Sequence, residues 1–328
     1  MNDIRLKIEN LVTEFVTNDG AIRALDNVSF EIKAGQIMGL VGESGSGKSL
    51  TGFSIMGLLD SPGRITSGRI LLGDQDIRGM TAEQLRQMRG NRMAMIFQDP
   101  MMTLNPVMKI STQMIEAIEA HRPISKSDAL HACREALAMV GIPSPDERLE
   151  AYPHQLSGGM RQRVAIAIAL LNKPDVIIAD EPTTALDVTI QGQILAEIQK
   201  ICRQTRTAVI WITHDLSVVS SLADHISVMY AGKIVEQGTS AEVLGKPAHP
   251  YTRGLIRSVP AFNPPHQALY QIPGMAPALS QLTAGCAFLP RCERSSSQCA
   301  SSPQVTHVST DHLMRCFHPY REPLELVV

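Results

Sequence analysis

Aromatic residues make up only 4% of the 328-residue chain, and Trp211 is its single tryptophan. So thin a supply of flat rings argues against a platform that stacks successive bases of single-stranded nucleic acid. An excess of one charge is missing as well: 30 Lys and Arg stand against 32 Asp and Glu, for a formal net charge of −2. That balance leaves no general field to draw a polyanion. Long apolar runs are also lacking. Val164 to Leu171 stops at Asn172, well short of the ~18 to 20 residues that a membrane span requires. The opening MNDIRLKIENL alternates charge with aliphatics and has no apolar stretch ending in a small-residue cleavage site, so no secretory signal and a cytosolic location are expected. Nor do the six cysteines suit a disulfide scaffold: Cys133 and Cys202 stand alone, while Cys286, Cys292, Cys299 and Cys316 crowd together near the end. With 44% hydrophobic and 19% charged residues, what remains is a folded chain about two domains long.

Short aliphatic runs separated by Gly, Asn and Asp turns mark the start as β-rich: Leu6 to Leu11, Val28 to Ile32, Ile37 to Val41 and Arg69 to Leu72. After Val41 comes GESGSGKS, then apolar residues at helical spacing until Ser61, Pro62 and Gly63. Between about Ile110 and Leu171 the period becomes helical, with Met114, Ile115 and Ile118 on one stripe and Leu130, Cys133, Leu137 and Val140 on another. Strand signals return at Val176 to Ala179, Ala208 to Ile212 and Ile226 to Tyr230, with helices expected over Val188 to Gln204 and Leu216 to Ala223. This alternation predicts a largely parallel sheet. A proline-marked stretch from Pro247 to Pro277 leads into the cysteine-rich tail.

GESGSGKS, Gly42 to Ser49, fits the phosphate-loop pattern GxxxxGK[ST]. Glycines at 42, 45 and 47 let the backbone adopt positive φ and turn N–H groups toward phosphate at the positive end of the next helix. Lys48 is placed for the β and γ phosphates and the Ser49 hydroxyl for Mg²⁺. VIIADE, Val176 to Glu181, reads as a buried strand delivering Asp180 to the metal and Glu181 to the water that attacks the γ-phosphate.

LSGGM at Leu156 to Met160, followed by RQRVAIAIAL, resembles the signature loop and helix of the ABC ATPases. Met160 departs from the usual Gln, but the phosphate contact there belongs to the backbone of Ser157, Gly158 and Gly159. Other elements of the family stand in order: Gln98 after the strand Met93 to Phe97, Ala185-Leu186-Asp187, and His214 after Ala208 to Thr213. The resemblance implies an α/β P-loop ATPase with a RecA-like parallel-sheet core, an N-terminal antiparallel β subdomain and a helical signature subdomain over about 105–172. It implies ATP and Mg²⁺, bound through Phe15, Gly42, Glu43, Ser44, Gly45, Ser46, Gly47, Lys48, Ser49 and Asp180. Gln98 would sense the metal and the attacking water, Glu181 would act as base, and His214 would contact the γ-phosphate. Two subunits would meet head to tail, the Ser157, Gly158 and Gly159 turn of one closing over the nucleotide of the other, with Asp187 linking the sites. Phe15 would stack on adenine; a core position on an N-terminal strand is the other reading of it.

DPMMTLNPVMKI, YPHQLSGGMRQR, IADEPTTALDVT, ITHDLSVV, VMYAGKIVE and HPYT look like the ATP-binding subunit of dipeptide/oligopeptide-family importers. What this implies is a second ATPase subunit, homologous or identical, two transmembrane permease subunits and a periplasmic or lipid-anchored solute-binding protein. The protein would sit at the cytoplasmic face of the inner membrane, with no nucleic acid as partner. The rival, a soluble ABC ATPase acting on nucleic acid or ribosomes, would favour fused cassettes, coiled-coil insertions or a basic face, and none is present in the sequence. Met101, Met102, Leu104 and Met108 are read as exposed in a loop, suited to a partner's docking helix or equally to filling a core. Residues 1–258 form the expected ATPase domain and 259–328 a cysteine-rich extension similar to that of the subfamily. Four soft ligands within 286–316 satisfy a tetrahedral Zn²⁺ or a [4Fe–4S] cluster, and unligated thiols are the third possibility; the tight CxxC pairs of zinc ribbons are absent, and the resemblance favours iron–sulfur. Cys133 and Cys202 read as plain thiols.

Overall fold

The computed structural model describes residues 3–18, 20–184, 186–263, 268–282 and 284–324. In chain order, strands β1 (Ile4–Thr17), β2 (Gly20–Lys33) and β3 (Ile37–Val41) precede helix α1 (Lys48–Met56). Then come β4 (Gly63–Leu72), β5 (Gln75–Asp76), α2 (Ala82–Met88) and β6 (Met93–Ile96). A helical block follows, α3 (Ile110–Glu119), α4 (Lys126–Met139), α5 (Pro145–Leu149) and α6 (Gly158–Leu170). The alternation resumes with β7 (Val176–Asp180), α7 (Val188–Thr205), β8 (Ala208–Thr213), α8 (Leu216–Leu222), β9 (His225–Tyr230) and β10 (Lys233–Thr239). Helices α9 (Ser240–Gly245) and α10 (Pro250–Arg257) and two short strands, β11 (Thr306–His307) and β12 (Leu313–Met314), complete it.

The chain divides into two compact units, each assembled from separate segments. One comprises the residues up to Leu6, Ile32–Ile37 and Leu72–Ile210; the other Lys7–Glu31, Met38–Leu71 and the residues from Trp211 on.

In the first unit β6 and β7 pair in parallel, Met93 opposite Val176 through Ile96 opposite Ala179. Every residue of β7 is buried, as a strand covered on both faces requires. The helical block packs α3 and α6 on α4 through Ile110, Met114, Ile118, Cys133, Leu137 and Val164, all fully buried. Ala129 takes the core position expected of Leu130, which is half-buried, as is Ile115. Leu104 is also buried, against the expectation that it is exposed with Met101; Met108 is half-buried. The turn Pro100–Met102, capped by the Asp99 carboxylate on the Met101 N–H, folds the segment back so that its one leucine points inward. The Met102 side chain lies outside the described residues, as do Ala185, Pro264 and Pro265.

In the second unit β3 runs parallel to β9, while β10 pairs antiparallel with β9 and with β12, and β12 with β11. The sheet is therefore mixed, not uniformly parallel, because the two-residue turn between β9 and β10 permits only an antiparallel return. A separate sheet orders β2, β1 and β4. Helix α1 ends at Gly57, whose φ of 62° terminates it four residues ahead of the Ser-Pro-Gly stop read from sequence. Cys133 and Cys202 are both buried, and the Cys202 thiol donates to the Thr207 carbonyl.

The tail belongs to the second unit and is tied to it through Glu236, which is 0% exposed. One of its oxygens accepts from the Ala248 N–H at 2.6 Å and meets His312 Nε2 at 2.7 Å; the other accepts from the His249 N–H at 2.8 Å. His249 caps α10, its Nδ1 accepting from the Tyr251 N–H at 3.0 Å, so that nitrogen carries no proton. Burial pushes the His249 pKa down to about 4, with the charge of Glu236 opposing. An unfolded histidine titrates near ~6.5. The unfolded chain therefore takes up a proton between the two values that the folded chain refuses. Stability from this residue is complete above about pH 6.5, declines as pH falls, and levels off near pH 4, a loss of about 3 kcal/mol. Urea unfolding at pH 7 and pH 4.5 should show it, and His249→Asn, which keeps a capping oxygen, should remove that part of the pH dependence.

Candidate functional site

The phosphate loop fills the gap between β3 and α1 in the second unit. Gly42, Gly45 and Gly47 adopt φ of 154°, 77° and 105°, so the three glycines read from sequence occupy conformations that L side chains avoid. At Gly42 the constraint is also steric: a Cβ there would overlap the carbonyl oxygen of Met229 on β9. Gly47 precedes the first residue of α1, and its own carbonyl accepts from the N–H of Thr51. The loop is pinned from outside by Gly232, whose N–H donates to the Ser46 carbonyl at 2.9 Å. Lys48 is buried, with Nζ on the carbonyls of Gly42 at 2.8 Å and Glu43 at 3.0 Å. Among the described residues, the buried Ser46 Oγ has no hydrogen-bond partner. Glycines that admit close backbone approach, a lysine folded over the loop and an orphaned hydroxyl fit a polyphosphate, which would supply the missing acceptor. Ser49 follows Lys48 in the first turn of α1, and Ser44 is exposed at the loop's tip.

Two further residues of the expected site, His214 and Phe15, lie in this unit. His214 is exposed immediately beyond β8, before Asp215, whose carboxylate caps α8 through the Ser217 N–H at 2.8 Å. Phe15 on β1 is half-buried against Gly63.

In the first unit the parallel pairing of β6 and β7 sets two loops side by side. Gln98 follows β6, and Asp180 and Glu181 end and follow β7. Gln98 Nε2 accordingly reaches Glu181 Oε2 at 3.4 Å, and the Thr184 hydroxyl donates to the same oxygen at 3.2 Å. Asp180 is buried, while Glu181 is half-buried. Glu181 also has φ of 45°, a left-handed conformation that costs a non-glycine residue about 1–2 kcal/mol. No reading of the sequence anticipated this strain.

The SGG turn starts α6. Ser157 Oγ accepts from the Met160 N–H at 3.3 Å and caps the helix, leaving the glycine amides at the positive end of the dipole. Asp187 caps α7 in the same way through the Ile190 N–H at 2.9 Å. The two helix starts touch: a Cβ on Gly159 would stand 2.8 Å from Ile190 Cγ2. The fold therefore brings Ser157, Gly159 and Asp187 into one neighbourhood, as it does Gln98 and Glu181.

Cys286, Cys292, Cys299 and Cys316 line one pocket with His249, Phe288 and His318, and all four are free thiols. The Cys286 N–H donates to the Cys299 carbonyl at 2.9 Å, and the His318 N–H to Cys316 Sγ at 3.3 Å. Burial raises the pKa of Cys286 and Cys292, and that of Cys316 to about 11. Among the described residues, however, no three His, Cys, Asp or Glu side chains converge closely enough to hold a metal ion. The spacing that drew attention in sequence thus gathers the thiols without closing them into a single-ion site.

The residues that sequence missed surround Glu43. Arg291 donates Nη1 and Nη2 to its two carboxylate oxygens at 2.7 and 3.0 Å, and the Tyr251 hydroxyl accepts from its N–H at 2.9 Å. Arg291 and Tyr251 lie 248 and 208 residues away in sequence, so no local pattern could have shown them.

The family profile described as ABC transporter matches residues 25–184, and that described as oligopeptide/dipeptide transporter, C-terminal region, matches 235–299. The oligopeptide transport ATP-binding protein of Escherichia coli is 42% identical over 98% of this chain and 95% of its own length. The dipeptide transport ATP-binding protein of Bacillus subtilis is 46% identical over 95% of this chain and 94% of its own. Among solved structures, a dimeric ATP-binding cassette in a post-hydrolysis state, bound to ADP and phosphate, is similar with a TM-score of 0.64 at 28% identity. It covers 72% of this chain and 98% of that one. A component of an ABC transporter complex from Clostridium perfringens gives 0.64 at 29% identity, over 74% and 91%. Among the described residues, no helix is long and apolar enough to cross a membrane.

The backbone at position 181 makes a test. Glu181→Ala and Glu181→Gly both delete the carboxylate, but only glycine relieves the positive φ. The glycine variant should be more stable than the alanine variant by about 1 kcal/mol, measured by chemical denaturation; equal stabilities would count against strain at this residue.

Proposed function

The chain belongs to the ABC transporter ATPases, in their oligopeptide/dipeptide branch, and on that premise we propose that it is the ATP-hydrolysing, energy-coupling subunit of an importer for short peptides or a related small solute. The observation that carries the reading is the phosphate loop. Its positive-φ glycines, its folded-over Lys48 and its unpartnered Ser46 hydroxyl fit a polyphosphate.

In this reading Lys48 exchanges two loop carbonyls for the β and γ phosphates, and the loop amides with Ser44 and Ser46 surround the phosphate chain. Ser49 and Asp180 would hold Mg²⁺, with Gln98 beside it; when bound, the ion screens the charge that develops on the phosphate oxygens. Glu181, steadied by Gln98 and Thr184, takes the proton of the attacking water. His214 contacts the γ-phosphate, and Phe15 stacks on the base. The SGG turn at the start of α6 offers amides to the γ-phosphate held by a second ATPase subunit, identical or homologous, and Asp187 beside it couples the two sites. Loss of the γ-phosphate removes the anion that joins the chains, and the pair separates.

The same reading places residues 1–258 in the ATPase domain and 259–328 in the extension. It puts the protein on the cytoplasmic face of the inner membrane beneath two permease subunits, to which a periplasmic or lipid-anchored binding protein delivers the solute. For the four thiols the reading is a [4Fe–4S] cluster, with Zn²⁺ as the alternative, and what supports it is their common pocket. Among the described residues no three of these side chains converge on one point, so either metal would have to draw the thiols together on binding. When bound, the cluster would cross-link four distant points of the tail.

Glu181→Gln should bind ATP as the wild type does, hydrolyse it at least about a hundredfold more slowly, and accumulate as an ATP-bound pair in size-exclusion chromatography. Wild-type turnover would remove Glu181 as the base. Lys48→Ala should weaken ATP binding, and unchanged affinity would contradict the cradle. Anaerobic purification followed by iron, sulfide and zinc analysis decides the metal; a colourless, metal-free protein defeats the cluster.

A further inference from the structure

The phosphate loop is not held by the ATPase domain alone. Its second residue, Glu43, is gripped at both ends by the region beyond β9. The side chain accepts a two-pronged bond from Arg291, a geometry in which a guanidinium fixes a carboxylate in plane and in direction. The main-chain N–H is taken by the Tyr251 hydroxyl. Arg291 is itself immobilised. It is 6% exposed, donates Nε to the Pro273 carbonyl at 2.8 Å and Nη1 to the Tyr230 hydroxyl at 3.3 Å, and lies over the rings of Tyr230 and Phe288. Tyr230, Tyr251 and Phe288 pack on one another with centroids 4.6 to 5.4 Å apart. The turn that carries Arg291 is closed by its own N–H on the Phe288 carbonyl at 3.0 Å.

Glu43 needs such a partner on electrostatic grounds. A carboxylate one residue beyond Gly42, in a loop meant for a polyanion, repels the ligand unless a cation neutralises it. It also shares its carbonyl with Lys48, so a shift of Glu43 moves the ammonium that meets the phosphates. Resting on the nucleotide reading above, we propose that Arg291 is a positioning residue of the nucleotide site, supplied by the C-terminal extension, which holds and neutralises Glu43 so that the phosphate loop keeps its triphosphate-receiving shape.

The full-length chain tests this with a fluorescent ATP analogue and with steady-state ATPase kinetics. Arg291→Gln should raise the nucleotide Kd about tenfold, with KM for ATP rising by a larger factor than kcat falls. Arg291→Lys, which keeps the charge but not the fork, should recover part of the loss. Adding Glu43→Gln to Arg291→Gln removes the unpaired carboxylate and should restore affinity to within about threefold of wild type. A merely structural arginine would not be rescued this way. If Arg291→Gln does not fold, Arg291→Lys is read in its place, with a Kd increase of about fivefold expected and wild-type affinity overturning the proposal. An Arg291→Gln protein that binds within twofold of wild type, or a loss that Glu43→Gln leaves untouched, overturns it too. Failure of the wild type itself to bind the analogue would instead strike the nucleotide reading.

Discussion

Gly42 has no side chain because the carbonyl of Met229 stands where its Cβ would be. The end of β3 can therefore run close beside β9 and turn at once into the glycine loop, and the helix behind begins at Lys48 without an intervening connection. A larger residue at 42 would force the two strands apart and move the loop away from the start of α1. The amides and the helix dipole would then no longer act on the same point. Anion binding thus rests on a packing constraint within the sheet, with the lysine and hydroxyls added to a backbone already shaped for the task.

A comparable economy governs the first unit. Parallel pairing of β6 with β7 obliges the loops that follow both strands to leave from the same edge, which is why Gln98 and Glu181 meet although 83 residues separate them. The strained φ at Glu181 is the local cost of turning the carboxylate there. At the SGG turn the Ser157 cap takes the Met160 N–H, and the glycine amides belong to the first turn of the helix, whose N–H groups have no acceptor within it. Amides that no group of their own helix can accept from are ready for an acceptor from outside.

Much of this was legible in the sequence because it is local. The glycine loop, the Val176–Asp180 strand, the SGG helix start and the start of α7 at Val188 each depend on fewer than about ten consecutive residues, and pattern rules act on that scale. From sequence the helix after the phosphate loop reads too long, because Gly57, a terminator in its own right, is outweighed by the louder Ser-Pro-Gly. Leu104 was read as exposed because a polar-looking loop hides the fold-back imposed by the Asp99 cap. The clamp on Glu43 and the buried Glu236 with His312 were illegible in principle. Their partners are 248 and 76 residues distant, and only the completed sheet brings them together.

These long-range ties decide what kind of object the C-terminal extension is. A tail joined only by its linker would leave the phosphate loop indifferent to its state. This one adds β12 to the edge of β10, closes a buried carboxylate with His312, and inserts Arg291 between Tyr230 and Glu43. Removing it would expose the β10 edge and leave Glu236 without its imidazole partner and Glu43 without its cation, each a desolvation or charge penalty in the half of the sheet that carries the phosphate loop. The cysteine pocket lies in the same turn as Arg291, between Cys286 and Cys292. The residues that carry β12, His312 and Arg291 are accordingly packed into the unit that holds the phosphate loop.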